Sequence, residues 1–310
     1  MILNLCFKPY LMKKRISLII ISLFVLLHCD TVSGQKTDIQ IIHRIEMVDG
    51  SVLIGEIVSE DDQYITLKTE KAGTIRIVKS DISNKKLLPK AQLKDGKLWP
   101  ENIHSTRYFF SPNAYNLRKG ESYYQNIAVI VHQVSYGVND NFSIGAGMIP
   151  LFIFGGVASP VWVTPKFSFP IVENKINFGF GALMGTVIGA EYRSPGFGIL
   201  YGTSTFGSRD QNFSFGAGWA FVDGAIARYP TFNLSGIIRL GPKGYLMTEN
   251  YFIGTRDDFF SLMSIGGRRM FSEVGLDFGL FLPLSNLDDA WVAIPWLGIA
   301  IPLSHGKTKP

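Results

Sequence analysis

The sequence predicts an all-β chain, in which a small soluble β-module precedes an antiparallel up-and-down transmembrane β-barrel of about 12 strands. Three observations carry this. The stretches Asn141–Gly147, Asn177–Leu183 and Asn212–Gly218 are near copies, spaced 36 and then 35 residues apart, in which aromatic or aliphatic side chains alternate with Gly, Ser or Asn. Turn-forming clusters recur at about the same period, so each period holds two strands and two turns. Composition also splits near residue 104: residues 35–104 hold 11 basic and 11 acidic residues and no Phe, whereas residues 105–310 hold all 21 Phe that follow residue 34 and 27 of the 32 Gly. A charged soluble module and a lipid-facing segment explain the split most simply.

The first element, residues 1–34, reads as an export signal. Lys13, Lys14 and Arg15 supply the positive start, Ile16 to Leu27 the apolar run, and Val32-Ser33-Gly34 a small-residue cleavage site. The run is too short for a spanning helix. Met12, directly before the basic cluster, is an alternative start to Met1. Both cysteines, Cys6 and Cys29, precede the expected cut, so Cys-based nucleophiles and Cys metal ligands are excluded from the mature chain. Lipidation at Cys29 is the rival expectation: Leu26 lies three residues ahead of it, although Leu27 and His28 are bulkier than an acylation site prefers.

Without the leader, the +5 of the whole chain falls to +2, from 26 basic and 24 acidic residues. That balance makes no case for nucleic acid. No Gly-rich phosphate loop, His or Cys metal spacing or Asp-rich calcium loop appears, so no cofactor and no metal is expected.

Residues 35–84 form the module. Short β-rich runs are separated by Asp49-Gly50, Glu60-Asp61-Asp62 and Lys71-Ala72-Gly73, which are hairpin turn signals. The stretch Asp49 to Ile57, with Asp-Gly ahead of a strand carrying Gly55, resembles the first strands of Sm-like and SH3-like small barrels. Sm-like modules often bind RNA, which the balanced charge and the export signal disfavour, leaving a structural or a protein-docking module, the latter with a periplasmic protein partner through residues 35–100. Residues 85–104, with five lysines, Pro89 and Gly96, read as a linker.

The barrel is expected over residues 105–303, with 304–310 as a tail. Between the turns lie eleven strands: 124–137, 141–153, 158–170, 175–187, 196–206, 211–221, 228–240, 244–254, 258–269, 272–283 and 290–303. Residues 106–110 supply a twelfth at the front, and a count of ten follows if a terminal pair is misread. Strands of 11 to 13 residues at ~40° tilt span roughly 28 to 33 Å, enough for an apolar band of about 25 Å. Alternation assigns the faces. Phe213, Phe215, Ala217, Trp219 and Phe221 oppose Ser214, Gly216, Gly218 and Ala220; Val274, Leu276, Phe278, Leu280 and Leu282 oppose Glu273, Gly275, Asp277 and Gly279. Apolar faces lipid and polar faces the lumen. Eight prolines in or beside strands, including Pro165, Pro170, Pro230, Pro283 and Pro302, must then mark bulges or strand ends. The connections are short, so the lumen is expected to be narrow or filled by side chains, with no room for a folded-in plug.

Through its repeats and the tight Tyr136-Gly137-Val138-Asn139-Asp140-Asn141-Phe142 turn, the segment resembles bacterial outer-membrane β-barrel proteins. That resemblance implies a cell outer-membrane location, lipid as a partner and a periplasmic N-terminal module. One departure is the C-terminus, which lacks the aromatic last residue common in such proteins.

Candidate chemistry is sparse. His132 is the one histidine on an expected barrel strand, and with Ser135 and Ser143 it is the sole candidate for a lipid-acting hydrolase. Arg228, Arg239, Glu249, Arg268, Glu273 and Asp277 fall in the last five strands and are candidate lumen charges, because charge on the lipid face is costly. The functional expectation is a non-enzymatic barrel acting as a narrow channel or as an anchor presenting the module. A barrel enzyme acting on lipids and a soluble exported β-protein are the alternatives.

Overall fold

The computed structural model describes residues 42–69, 72–88, 92–94, 97–150, 158–189, 196–254, 259–284 and 293–305. The expected export signal, the Cys29 site and the turns at 154–156, 191–195, 255–258 and 285–289 lie outside the described residues.

The first sheet is built from β1 (Ile42–Met47), β2 (Val52–Glu60), β3 (Tyr64–Thr69), β4 (Gly73–Val78) and β5 (Ile82–Leu88). Its order is β4-β3-β2-β1-β5, antiparallel throughout, with a single 3-10 turn at Lys79–Asp81 between β4 and β5. Period-2 alternation puts Ile45, Ile65, Leu67 and Ile77 into one buried cluster while the charged residues stay outside. Gly50 and Gly73 sit at the turns with φ of +83° and +68°, where a side chain would be strained. Gly55 is required for another reason: a Cβ there would collide with the carbonyl of Lys68. Across the turn, Glu60 receives Lys79 and Lys85, which hold its carboxyl below the usual range. Residues 85–88 therefore belong to the sheet, not to the expected linker, and the rest of that segment contains a short hairpin of β6 (Gln92–Lys94) and β7 (Lys97–Trp99).

The second sheet closes on itself. It comprises β8 (Glu121–Ile127), β9 (Val131–Gly137), β10 (Phe142–Met148), β11 (Ser159–Val163), β12 (Lys166–Val172), β13 (Ile176–Ile188), β14 (Gly196–Gly207), β15 (Gln211–Val222), β16 (Ala225–Ile226), β17 (Thr231–Gly241), β18 (Gly244–Gly254), β19 (Phe259–Phe271), β20 (Val274–Pro283) and β21 (Ile294–His305). Each strand pairs antiparallel with its neighbours, β21 pairs with β8, and β9 with β10 completes the ring. Strands β11 and β12 are one wall strand with Pro165 at the break, since Gly145 and Thr164 exchange both backbone hydrogen bonds across it. With β16 a stub on β15, the ring has 12 strands.

The expected count of 12 therefore holds, but not for the expected reason. Residues 106–110 are not a barrel strand. Tyr108 and Phe109 are fully buried inside the ring, and the segment makes one isolated bridge, Arg107 to Pro112. The missing strand comes from 124–137, which is a hairpin: the chain turns at Ala128 and Val129, with φ of +50° and +69°. No Gly, Asn or Asp announces this turn, and a β-branched residue in the left-handed region costs on the order of 1–3 kcal/mol. The wall is consequently uneven, because β8, β9 and β10 have 7 residues each whereas β13 to β15 have 12 or 13.

The faces follow the expected alternation. Outward lie Phe167, Phe178, Phe180, Phe213, Phe215, Trp219, Phe232, Phe278 and Leu280, all exposed, and stacked in part, with Phe142 over Phe167 at 4.5 Å and Phe206 over Phe213 at 5.0 Å between ring centroids. Inward lie the buried Ser143, Ser168, Asn177, Thr205, Asn212, Ser214, Ser235, Glu249, Arg268 and Asp277. Pro170 and Pro302 sit at register shifts, Pro230 just before β17 and Pro283 at the end of β20.

Candidate functional site: the lumen and its strap

The chain reaches the barrel at the end where β8 begins and β21 finishes. Before β8 starts, residues 100–120 fold into the lumen as a strap. Its tip is a tight turn in which the Tyr108 amide donates to the Ser111 carbonyl at 3.0 Å and the Asn113 amide to the Thr106 carbonyl at 3.2 Å. The expectation of no room for a plug is thus overturned, because the small inward residues of the strands leave space. Gly266 and Gly279 face each other across β19 and β20, and a Cβ on either would lie 3.0 Å from the tip of the Phe109 ring. Phe109 and Tyr108 pack there with Ile237, Tyr245, Met247, Met270 and Phe281.

Polar contacts do the rest, since a strap without a sheet partner must find donors and acceptors elsewhere. Glu249 Oε2 accepts the backbone amides of Phe109, Phe110 and Ser111 at 2.8, 3.0 and 3.0 Å, and its Oε1 accepts the Tyr251 hydroxyl at 2.7 Å. Asp277 lies between two guanidiniums. Arg268 donates to it through Nε at 2.5 Å and Nη2 at 3.1 Å, and Arg107 of the strap through Nη1 at 2.7 Å. The same arginines cap strap carbonyls: Arg268 those of His104 and Tyr108, Arg107 those of Tyr108 and Phe109.

From the opposite wall, Lys166 Nζ reaches the carbonyl of Tyr115 at 2.6 Å, and Thr205 Oγ1 accepts the Ala114 amide at 2.7 Å. The Tyr108 hydroxyl meets Asn212 and Ser214, each at 2.6 Å. At the entrance Arg239 donates to the Pro100 carbonyl at 2.8 Å and to Asp210 at 2.9 Å, with Trp99 and Tyr245 beside its guanidinium.

The expected lumen charges thus divide. Arg239, Glu249, Arg268 and Asp277 all meet the strap. Arg228 does not: it is exposed in the connection before β17, 5.6 Å from the Tyr229 ring. Glu273 is exposed in the turn between β19 and β20, 3.3 Å from His305. His132 lies on the outer face, in step with the exposed Val134 and Tyr136, and its Nδ1 contacts the Tyr124 hydroxyl at 2.6 Å. Ser135 and Ser143 are buried on the lumen face, so the wall separates them from His132 and the three form no hydrolytic site.

Sequence reasoning missed Arg107, Lys166 and the strap itself. Lys166 was accessible to the alternation rule, because it shares a face with Thr164 and Ser168. Arg107 was hidden in an aromatic run that reads as a strand.

The strap leans toward β17–β21. Between it and the wall remains a cavity of about 200 Å³, lined mostly by the inward faces of β9–β15 with Thr231 and Asn233 of β17 and Tyr251 of β18 at its border, and bounded on the strap by Arg107, Phe110 and Pro112.

No protein-family model matches the chain, and no curated protein matches it. Among solved structures it is similar to "CymD monoaromatic hydrocarbon channel", at 9% identity and a TM-score of 0.36, covering 86% of this chain and 88% of the other. It is also similar to "Outer-membrane expressed OmpT of Vibrio cholerae", at 10% identity and a TM-score of 0.32, covering 86% of this chain and 98% of the other. Likeness at this level assigns no function.

Proposed function

We propose that the chain is a β-barrel of the bacterial outer membrane, closed at rest by its own strap, that acts as a narrow channel once the strap moves. The observation that carries this is the inverted sheet: a closed ring with exposed Phe, Leu and Trp outside and buried Asn, Ser, Thr and charges inside. In water such a surface would be an aggregation liability, whereas lipid is the solvent that matches it. The strap enters from the end carrying both barrel termini, which in outer-membrane barrels faces the periplasm. The module of β1 to β5 then belongs to that compartment, and its order with the 3-10 turn supports the SH3-like reading as a protein-docking unit.

A second reading is a permanently closed anchor that presents the module. The density of buried strap contacts favours it, and conductance separates the two. The full chain in planar bilayers is expected to be nearly silent, and a variant lacking residues 100–118 to conduct. Silence from a membrane-inserted deletion variant leaves only the anchor. The membrane assignment has its own check, heat-modifiable migration on a gel with resistance to carbonate extraction; a freely extracted, heat-insensitive chain restores the soluble β-protein. Pulldown from periplasmic extract with the full chain, against one lacking residues 42–88, tests the docking role.

A further inference from the structure

The lumen cavity presents no free charge. Its lining includes two cationic side chains, Arg107 and Lys166, and no Asp or Glu, yet both cations are spent on the strap. Lys166 Nζ is turned into the carbonyls of Thr106, Asn113 and Tyr115, and Arg107 Nη1 into Asp277 and the carbonyls of Tyr108 and Phe109. The other two nitrogens of Arg107 are closed off by packing. An anion placed in the cavity would give up its water without meeting a matched charge.

Hydroxyls are what the cavity offers instead. Tyr123 of β8 and Tyr201 of β14 both line it, and among the described residues neither hydroxyl has a hydrogen-bond partner. Neither is among the polar atoms that packing closes off, so the space each reaches is the cavity. Tyr123 is only 6% exposed, and its ring is fixed by the perpendicular ring of His104 at 6.0 Å and by the Arg107 guanidinium at 5.7 Å from its centroid. Tyr201 lies against the wall because its register partner Gly181 has no side chain: a Cβ there would sit 2.7 Å from the Tyr201 hydroxyl oxygen. The two tyrosines are within electrostatic reach of each other. A buried hydroxyl with its donor and acceptor both unused is costly, and a ligand oxygen removes that cost. Around them the cavity is mostly apolar, with Phe110 on the strap and Leu183 and Ile199 on the wall. A volume of about 200 Å³ accommodates little more than one ring, since an apolar cavity of about 150 Å³ holds benzene.

We propose that this cavity binds a small uncharged molecule, about one six-membered ring in size and carrying a hydroxyl, its oxygen hydrogen-bonded to the free tyrosine hydroxyls and its body against Phe110, Leu183 and Ile199. The proposal rests on the reading of the chain as a strap-closed barrel and names the class of molecule that the closed lumen admits. Phe110 belongs to the strap, so the ligand bridges strap and wall.

The test is calorimetric titration of the full-length barrel in detergent micelles with phenol and with toluene, which has the same shape and no oxygen, each corrected for uptake by empty micelles. Phenol is expected to bind about fivefold more tightly, the worth of one neutral hydrogen bond. Tyr123→Phe combined with Tyr201→Phe should remove that preference and leave toluene binding in place. Leu183→Trp, which fills the cavity and keeps both hydroxyls in the chain, should weaken both probes. Benzoate, the charged control, should bind more weakly than either. Equal binding of phenol and toluene, a preference that survives in the double variant, tighter binding of benzoate, or no binding by a heat-modifiable barrel overturns the site. The channel reading fails separately: conductance on strap removal without phenol binding sinks the site alone. Phenol binding without such conductance sinks the channel and leaves the site standing.

Discussion

The two sides of the lumen differ in how they treat the strap. On β17–β21 the wall meets it with large apolar side chains, two arginines and two carboxylates, packed around Phe109 and Tyr108. On β9–β15 the wall offers mainly Ser, Thr, Asn and Gly with a few apolar side chains, holds the strap by Lys166 and scattered hydrogen bonds, and borders most of the cavity. One barrel therefore has a side that fixes and a side that yields. Stability should be concentrated on the first.

Asp277→Asn tests the fixing side with the largest expected effect. It removes the charge that balances Arg107 and Arg268, both buried, and the loss of one partner of such a cluster costs ~3–5 kcal/mol. Urea unfolding of the folded barrel should shift by that amount, and conductance should rise as the strap loosens. Unchanged stability and silence would show that the strap is held by its amides on Glu249 and by packing, with Asp277 incidental.

Much of this division was legible in the sequence and part was not. Alternation told lumen from lipid correctly along 211–221 and 274–283 because the ring has one polar and one apolar solvent, and the pattern is local. It also singled out Arg239, Glu249, Arg268 and Asp277, because a charge on a lipid-crossing strand has few tolerable places to point. Arg228 and Glu273 obey no such rule, since they sit at strand ends where either face reaches water. The strap was illegible for a different reason. Thr106 to Phe110 has the composition of a strand, and what makes it a plug is the space left by Gly266 and Gly279, more than 150 residues away. The turn at Ala128 and Val129 is likewise set by tertiary context, against local preference.

Gly279→Ala probes that space directly. A Cβ would lie 3.0 Å from the Phe109 ring tip and 2.9 Å from the Ile265 carbonyl, so either the ring or the backbone must give. Overpacking of this kind costs ~1–3 kcal/mol. The ring belongs to the strap and the carbonyl to the wall, so the readout should separate them. Amide hydrogen exchange over residues 104–114 is expected to accelerate more than over β19 and β20. Faster exchange in the strands alone would mean that the wall, not the strap, is the softer partner.

Leu183→Ala is the counterpart on the yielding side, with the smallest effect on stability. Leu183 is only partly buried and already borders the cavity, so truncation enlarges an existing void instead of opening one in a packed core. The cost should stay near ~1 kcal/mol, below the 2–5 kcal/mol of a fully packed leucine. A loss as large as that from Asp277→Asn would mean that the cavity side is as tightly built as the strap side, and the division between fixing and yielding walls would collapse.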